Sequence, residues 1–334
     1  MPPDHLLMSQ MSAKLGQDRL LIQGAGGNVS WKENDTLWIK GSGTWLANAL
    51  LEDIFVPVDL KHLRNALSKQ FFDIKPIIIG EHRLKPSIET FLHSLMPHRI
   101  VVHLHAIHAL SYLVIQNCQK LVETICQQHA INANYLDYFK PGPDLAHAIY
   151  ESLNKNSTAN VILLKNHGIV IGANSIAEIY TALESINNAF IPQNTFSKTL
   201  RSIPRSSPLS NYTPFDDVEV QALALDADLF GRLCHDWALF PDHVVFLGAQ
   251  ANIYQSWEHF GKHRGENPEL IFIQNSGVYV GSGFNKTKSV QLRCYFDVIS
   301  RVNPKTKLDS LSKSAISDLL NWDAELIRQQ MAGH

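Results

Sequence analysis

The chain has 334 residues, 45% of them apolar, with a formal net charge of −2 at pH 7 and a pI near 6.8. That length and apolar content suffice for one large domain plus a smaller one, while the near-neutral balance supplies no field for nucleic acid or an anionic membrane surface, so any anion must be held locally. No apolar run approaches the roughly 18 residues of a membrane span, and Met1-Pro2-Pro3-Asp4-His5 does not read as a secretory leader, so a soluble cytoplasmic protein is expected.

The first feature along the chain is Gly24-Ala25-Gly26-Gly27-Asn28, which invites comparison with a dinucleotide-binding loop. The third glycine of that fingerprint is absent, and Val29-Ser30-Trp31-Lys32 continues as a strand where a helix is required. A nicotinamide site is therefore not expected, and an ordinary glycine-rich turn is the plainer reading. Strands are predicted at Leu37–Lys40 and Ile77–Gly80. Ser87 is then placed to cap a helix introduced by Pro86, which puts Glu89 in the first turn, where a carboxylate favours the positive end of the helix dipole. Dipole placement alone explains Glu89; the functional alternative is a general acid/base beside a metal.

Five histidines, His93, His98, His103, His105 and His108, follow within sixteen residues. A strand is predicted over Arg99–His105, and its period of two places His103 and His105 on one face, close enough to grip one metal ion. The bland alternative is a pair of exposed edge-strand residues, or core histidines with satisfied hydrogen bonds. The apolar runs of Val161–Ile171 predict two buried strands joined through Lys165-Asn166-His167-Gly168. A histidine in that turn has few structural reasons to be there and a good one as a third ligand. Three imidazoles with one open position is the arrangement of a catalytic zinc site.

A capping box, Ser175-Ile176-Ala177-Glu178, opens a helix whose apolar positions Ile179, Leu183 and Ile186 recur at helical spacing and are read as core. Asn194 to Pro214 is rich in Ser, Thr and Pro and reads as a linker, which divides the chain into residues 1–200 and 201–334. In the second part, Ile271 through Gly281 parallels Val161 through Gly172, with Ser276 where His167 stands, so a degenerate repeat here would have lost the metal chemistry; chance similarity of two apolar hairpins remains open. His235, Asp242 and His243 resemble a second metal cluster but are assigned to packing and turns, and a long final helix is predicted around Leu308 to Gln330. Cys118, Cys126, Cys234 and Cys294 lack metal-ligand or disulfide-framework spacing and are read as reduced.

Taken in order, Gly26-Gly27-Asn28-Val29-Ser30, Lys40-Gly41-Ser42-Gly43, Pro86-Ser87-Ile88-Glu89 with His93 beyond, Val101 through His108, and Asn166-His167-Gly168 make the chain resemble the class II aldolase/adducin family, typified by fuculose- and rhamnulose-phosphate aldolases. Lys85 to Thr90 and Phe240 to Gly248 look closest to the aldolase part of bacterial rhamnose-utilisation proteins, in which a dehydrogenase domain follows; the sequence does not extend into such a domain. The resemblance implies an α/β fold, a three-layer α/β/α domain with a central, largely antiparallel sheet, followed by a smaller C-terminal α/β part. It implies Zn2+ bound by His103, His105 and His167, Glu89 as the proton-transferring residue, and Asn28, Ser42, Gly43 and Ser87 around the substrate phosphate, in keeping with the N–H and O–H donors of glycine backbone and hydroxyls. It also implies a homo-oligomer, a tetramer with sites between chains, and a small-molecule sugar phosphate as partner. Two departures stand out: the spacing from Glu89 to His103 is shorter than in fuculose-type enzymes, and their C-terminal tyrosines have no match.

On this reading the protein is a zinc-dependent lyase that cleaves a phosphorylated ketose, zinc neutralising the enediolate left when the carbon–carbon bond breaks. Epimerisation, decarboxylation or dehydration of a sugar phosphate use the same parts, and an adducin-like binding module without catalysis is the alternative of another class.

Overall fold

The computed structural model describes residues 4–194, 207–262 and 267–323. Seven strands form the first sheet: β1 (Asn28–Glu33), β2 (Thr36–Lys40), β3 (Phe55–Asp59), β4 (Ile100–Leu104), β5 (Ala133–Leu136), β6 (Val161–Leu164) and β7 (Gly168–Ala173). Their order is β3-β2-β1-β4-β7-β6-β5. Only the β5–β6 pair is parallel, the other five being antiparallel.

Side-chain alternation explains why this sheet is central. Ile100, Val102 and Leu104 of β4, with Ile169 and Ile171 of β7, face one core, which packs against the helices His5–Gln17, Ile107–Leu113 and Ile176–Ala189. Val101, Ile162, Leu164 and Val170 face the other way, onto the helices Thr90–Leu95 and Pro143–Lys155. Both faces are thus apolar and covered, which gives the α/β/α layering expected for the N-terminal part. At the β1–β2 end, Trp31 stacks on Trp38 with ring centroids 5.6 Å apart and meets the Phe55 ring edge-on at 4.9 Å.

A second, four-stranded sheet has the order β8-β11-β10-β9, from β8 (Tyr212–Pro214), β9 (Ile253–Tyr254), β10 (Leu270–Ile273) and β11 (Gly277–Gly281). β8–β11 and β11–β10 are antiparallel and β10–β9 is parallel, the same sequence of directions as in β4-β7-β6-β5. The two hairpins share their turns: Asn166 and Asn275 both adopt left-handed φ, 53° and 56°, each two residues before a glycine. The largest core runs through both halves, joining Ile171 and Phe190 to Phe272, Tyr295 and Val298.

Several elements differ from their sequence-based expectation. Ile77–Gly80 is not a strand: the segment lies beside β3 with one bridge, Val58 to Ile78, because Pro57 has no N–H to extend the ladder and Ile77 and Ile79 point to solvent. The helix expected after Pro86 starts at Thr90. Pro86 is drawn into a bridge with Gly41, and the Ser87 N–H donates to Lys40 O at 3.1 Å, which holds this stretch extended. The capping box at Ser175 forms on one side, with Ser175 Oγ accepting from Glu178 N–H at 3.2 Å, while the Glu178 carboxylate takes Asn174 N–H at 2.9 Å. The linker expected over Asn194 to Pro214 contains β8, and residues 195–206 lie outside the described residues. The C-terminal helix spans Lys313–Leu320, capped by Ser312, since Leu308 is engaged in a bridge with Ile115; residues 324–334 also lie outside the described residues. Among the described residues no helix is long and apolar enough to cross a membrane.

Candidate metal centre

The three histidines lie within or just beyond the ends of two paired strands, β4 and β7. His103 is in β4 and His105 lies one residue past its end. His167 is the last residue of the turn between β6 and β7. Left-handed Asn166 makes that turn possible. Its side-chain amide is held by Leu239 O at 2.7 Å and Asp309 O at 2.6 Å. Gly168 lets the turn sit against β4, because a Cβ there would fall 2.4 Å from Leu104 O. The close approach of β4 and β7 at this point carries His167 to the other two histidines.

Their ligand nitrogens all lie within 4.8 Å of one another. Ring centroids are 5.0 Å apart for His103 and His105, 4.7 Å for His103 and His167, and 5.5 Å for His105 and His167. All three are buried. His103 Nδ1–H donates to Ile169 O at 3.0 Å, which fixes the tautomer and turns Nε2 inward as a lone-pair atom. Glu89 closes the group, with Oε2 3.6 Å from His103 Nε2 and Oε1 3.6 Å from His167 Nε2. His103 Nε2 and Glu89 Oε1 are buried without a hydrogen bond. Burying such acceptors unsatisfied costs about 1–3 kcal/mol each, and a cation among them would remove that cost. Three imidazoles and a carboxylate around one point are a donor set that suits a divalent transition metal.

Glu89 is not in a first helical turn. It occupies the N-cap position of the short helix, and its N–H donates to Ser87 Oγ at 3.2 Å. Ser87 thus supports the residue before the helix rather than the helix itself. Asn28, Ser42, Gly43 and Ser87 line the same cleft as Glu89, His105 and His167. Asn28 differs from a simple anion donor, since its side-chain amide is already given to Glu89 Oε2 at 2.7 Å.

His93, His98 and His108 do not line the cleft. His93 is buried behind it, 2.7 Å from Ser30 Oγ, and burial first, then His103 and Lys32, pushes it well below the usual histidine range. His243 packs among Trp237, Phe240 and Tyr295, and burial lowers its pKa to about 3. His235 is exposed, so these residues form no second cluster. Asp242 lies in the first turn of the helix Pro241–Leu247, in keeping with a turn role, and it faces the cleft as well. Asp242 is buried in the wall of the cleft, with Oδ2 3.6 Å from His105 Nδ1. Lys40 also lines the cleft, its Nζ held by Ala25 O at 2.7 Å and Thr44 O at 2.8 Å. The sequence singled out Asp242 within Phe240 to Gly248 and beside His235 and His243, but not its place beside His105, which is distant in the chain; Lys40 carried a signal as an isolated lysine in an otherwise apolar predicted strand, Leu37–Lys40.

Known proteins share parts of this chain. An uncharacterized oxidoreductase of Bacillus subtilis is 27% identical over 84% of the chain. The match covers 45% of that relative, so the chain spans less than half of its length. An L-fuculose phosphate aldolase of Methanococcus maripaludis is 28% identical, covering 51% of this chain and 86% of the relative. A probable methylthioribulose-1-phosphate dehydratase of Dictyostelium discoideum is 26% identical, covering 51% and 78% respectively. A family model, Class II Aldolase and Adducin N-terminal domain, matches residues 7–191, the region that carries all three histidines and Glu89. The chain belongs to the class II aldolase and adducin family.

Proposed function

We propose that the protein is a zinc-dependent lyase that reversibly cleaves a phosphorylated ketose, with His103, His105 and His167 as metal ligands and Glu89 as the proton-transferring group. The observation that carries this reading is the meeting of three buried imidazoles and one carboxylate at the end of a donor-lined cleft. A bound divalent cation supplies an electrophile for charge that develops on substrate oxygens as a carbon–carbon bond breaks. The remaining work belongs to the chain. Glu89, oriented by Asn28, exchanges a proton with the substrate carbon or its hydroxyl. Ser42 and Ser87 offer hydroxyl donors, and the buried Lys40 ammonium adds positive charge to the same wall, as a phosphate requires. Gly26, Gly27 and Pro241 line the same cleft without adding polar side chains.

A second reading is dehydration of a sugar phosphate, favoured by the Dictyostelium relative, whose identity is close to that of the aldolase. Both readings take a small phosphorylated sugar as substrate and place the protein in the cytoplasm as a homo-oligomer. Metal analysis of the purified protein tests their shared basis: about one zinc per chain is expected, lost in His103→Ala. No metal under any loading condition would leave only a binding module. With zinc present, ketose 1-phosphates then separate the reactions, release of dihydroxyacetone phosphate marking aldol cleavage and loss of water marking dehydration.

A further inference from the structure

The C-terminal half reaches the histidine cluster at two places. Leu239 O and Asp309 O hold Asn166, the residue before His167. Asp242, at the start of the helix Pro241–Leu247, brings its carboxylate against His105. Asp242 lies outside residues 7–191, the span that matches the family. We infer that Asp242 is a positioning residue for His105, so that the metal centre is completed by the C-terminal half of the chain. The inference rests on the metal-binding reading above.

Geometry gives the mechanism. Asp242 is 2% exposed, and its Oδ2 lies 3.6 Å from His105 Nδ1 and 3.4 Å from Gln291 Nε2. Gln291 Nε2 also reaches Gln23 O at 3.3 Å, which ties the carboxylate to the loop before β1. A carboxylate this close attracts an N–H and repels a lone pair, so it selects the His105 tautomer protonated at Nδ1 and leaves Nε2 as the metal-binding nitrogen. For His103 a backbone carbonyl, Ile169 O, does the equivalent work. The contact is closely packed as well. A Cβ at Gly26 would fall 2.8 Å from Asp242 Oδ2 and 2.9 Å from the His105 ring, so the glycine-rich loop lies over the pair and restricts ring rotation. Asp242 does not belong to the set of ligand atoms within 4.8 Å of one another, which fits an orienting role rather than a fourth ligand.

The test measures zinc affinity of the full chain by competition with a chromogenic chelator, in wild type, Asp242→Asn, Asp242→Ala, His105→Ala and the His105→Ala/Asp242→Asn double variant. Zinc affinity is expected to fall roughly 10- to 100-fold in both Asp242 variants, the usual size of losing a partner of a metal-bound histidine. Asp242→Asn is isosteric and keeps the inference testable should Asp242→Ala fold poorly. In the His105→Ala background the Asn substitution should add no further loss, because its effect passes through the imidazole. Cobalt in place of zinc should keep its coordination number in Asp242→Asn. Wild-type affinity in both Asp242 variants, an equal loss with and without His105, or a changed coordination number would each overturn the inference while leaving the metal site standing. Failure of the wild-type chain to bind zinc at all would overturn the metal reading and the inference together, and is seen separately.

Discussion

Asn28 stands opposite His103 across the β1–β4 pair, and its side-chain amide donates to Glu89 Oε2 at 2.7 Å. One strand pair therefore carries both a candidate metal ligand and the group that orients the candidate acid/base. A hydrogen bond to a charged group is worth about 1.5–3 kcal/mol. Asn28→Ala should accordingly lower turnover by roughly 10- to 100-fold while zinc content stays near that of wild type, since no ligand is removed. Parallel metal analysis and steady-state kinetics check this; loss of zinc from the Ala variant would mean that Asn28 serves the metal site rather than the carboxylate.

Glu89→Gln preserves shape and the Asn28 neighbour but removes the proton-accepting carboxylate. Turnover should drop by at least about two orders of magnitude, the scale of a general acid/base effect, with zinc retained. A Gln variant that runs at the wild-type rate on its substrate would remove Glu89 from the chemistry.

Much of this arrangement is legible in the sequence, and what is not has a common cause. β4, β6 and β7 are continuous apolar runs, and His103 inside one of them and His167 in the turn between the other two stand where a polar side chain needs a reason. Ser175 and Glu178 announce their helix because capping is local. Ile77–Gly80 misleads because an apolar run resembles a strand even when its neighbour, here Pro57, cannot complete the ladder. Glu89 misleads in the same way: Ser87 and Pro86 look like a helix start, but pairing with Gly41 and Lys40, remote in sequence, takes them. Asp242 is visible in the sequence as a candidate, but its partners are not, since His105 and Gln291 are both far from it in the chain. Local rules are readable residue by residue, whereas the cleft is built where separate segments meet.

Gly168 marks one such meeting point. Its φ of +158° and the 2.4 Å approach of a built Cβ to Leu104 O leave no room for a side chain. Because the obstacle is backbone, Gly168→Ala must push β4 and β7 apart, at a cost of about 2–4 kcal/mol. Zinc affinity should fall with stability, as the same contact sets the distance from His167 to His103. Chemical denaturation with and without zinc tests both parts; a variant with an unchanged denaturation midpoint and unchanged affinity would show that the strands are not held at this distance.

His243 makes stability depend on pH in a direction that can be worked out. Burial among Trp237, Phe240 and Tyr295 lowers its pKa to about 3 in the folded protein, against about 6.5 in an unfolded chain. As pH falls below about 6.5, the unfolded chain takes up a proton that the folded chain refuses, so stability is complete above that pH and declines toward pH 3 by up to about 1.4 kcal/mol per pH unit. His243→Gln removes this proton. Its unfolding free energy should therefore fall less steeply than that of wild type between pH 6.5 and 4.5, by about one proton's worth of slope, whatever the variant costs at pH 7. Denaturant titrations on chelator-treated protein keep metal release out of the comparison. Parallel pH profiles for the two proteins would show that His243 takes up its proton as readily in the fold as outside it.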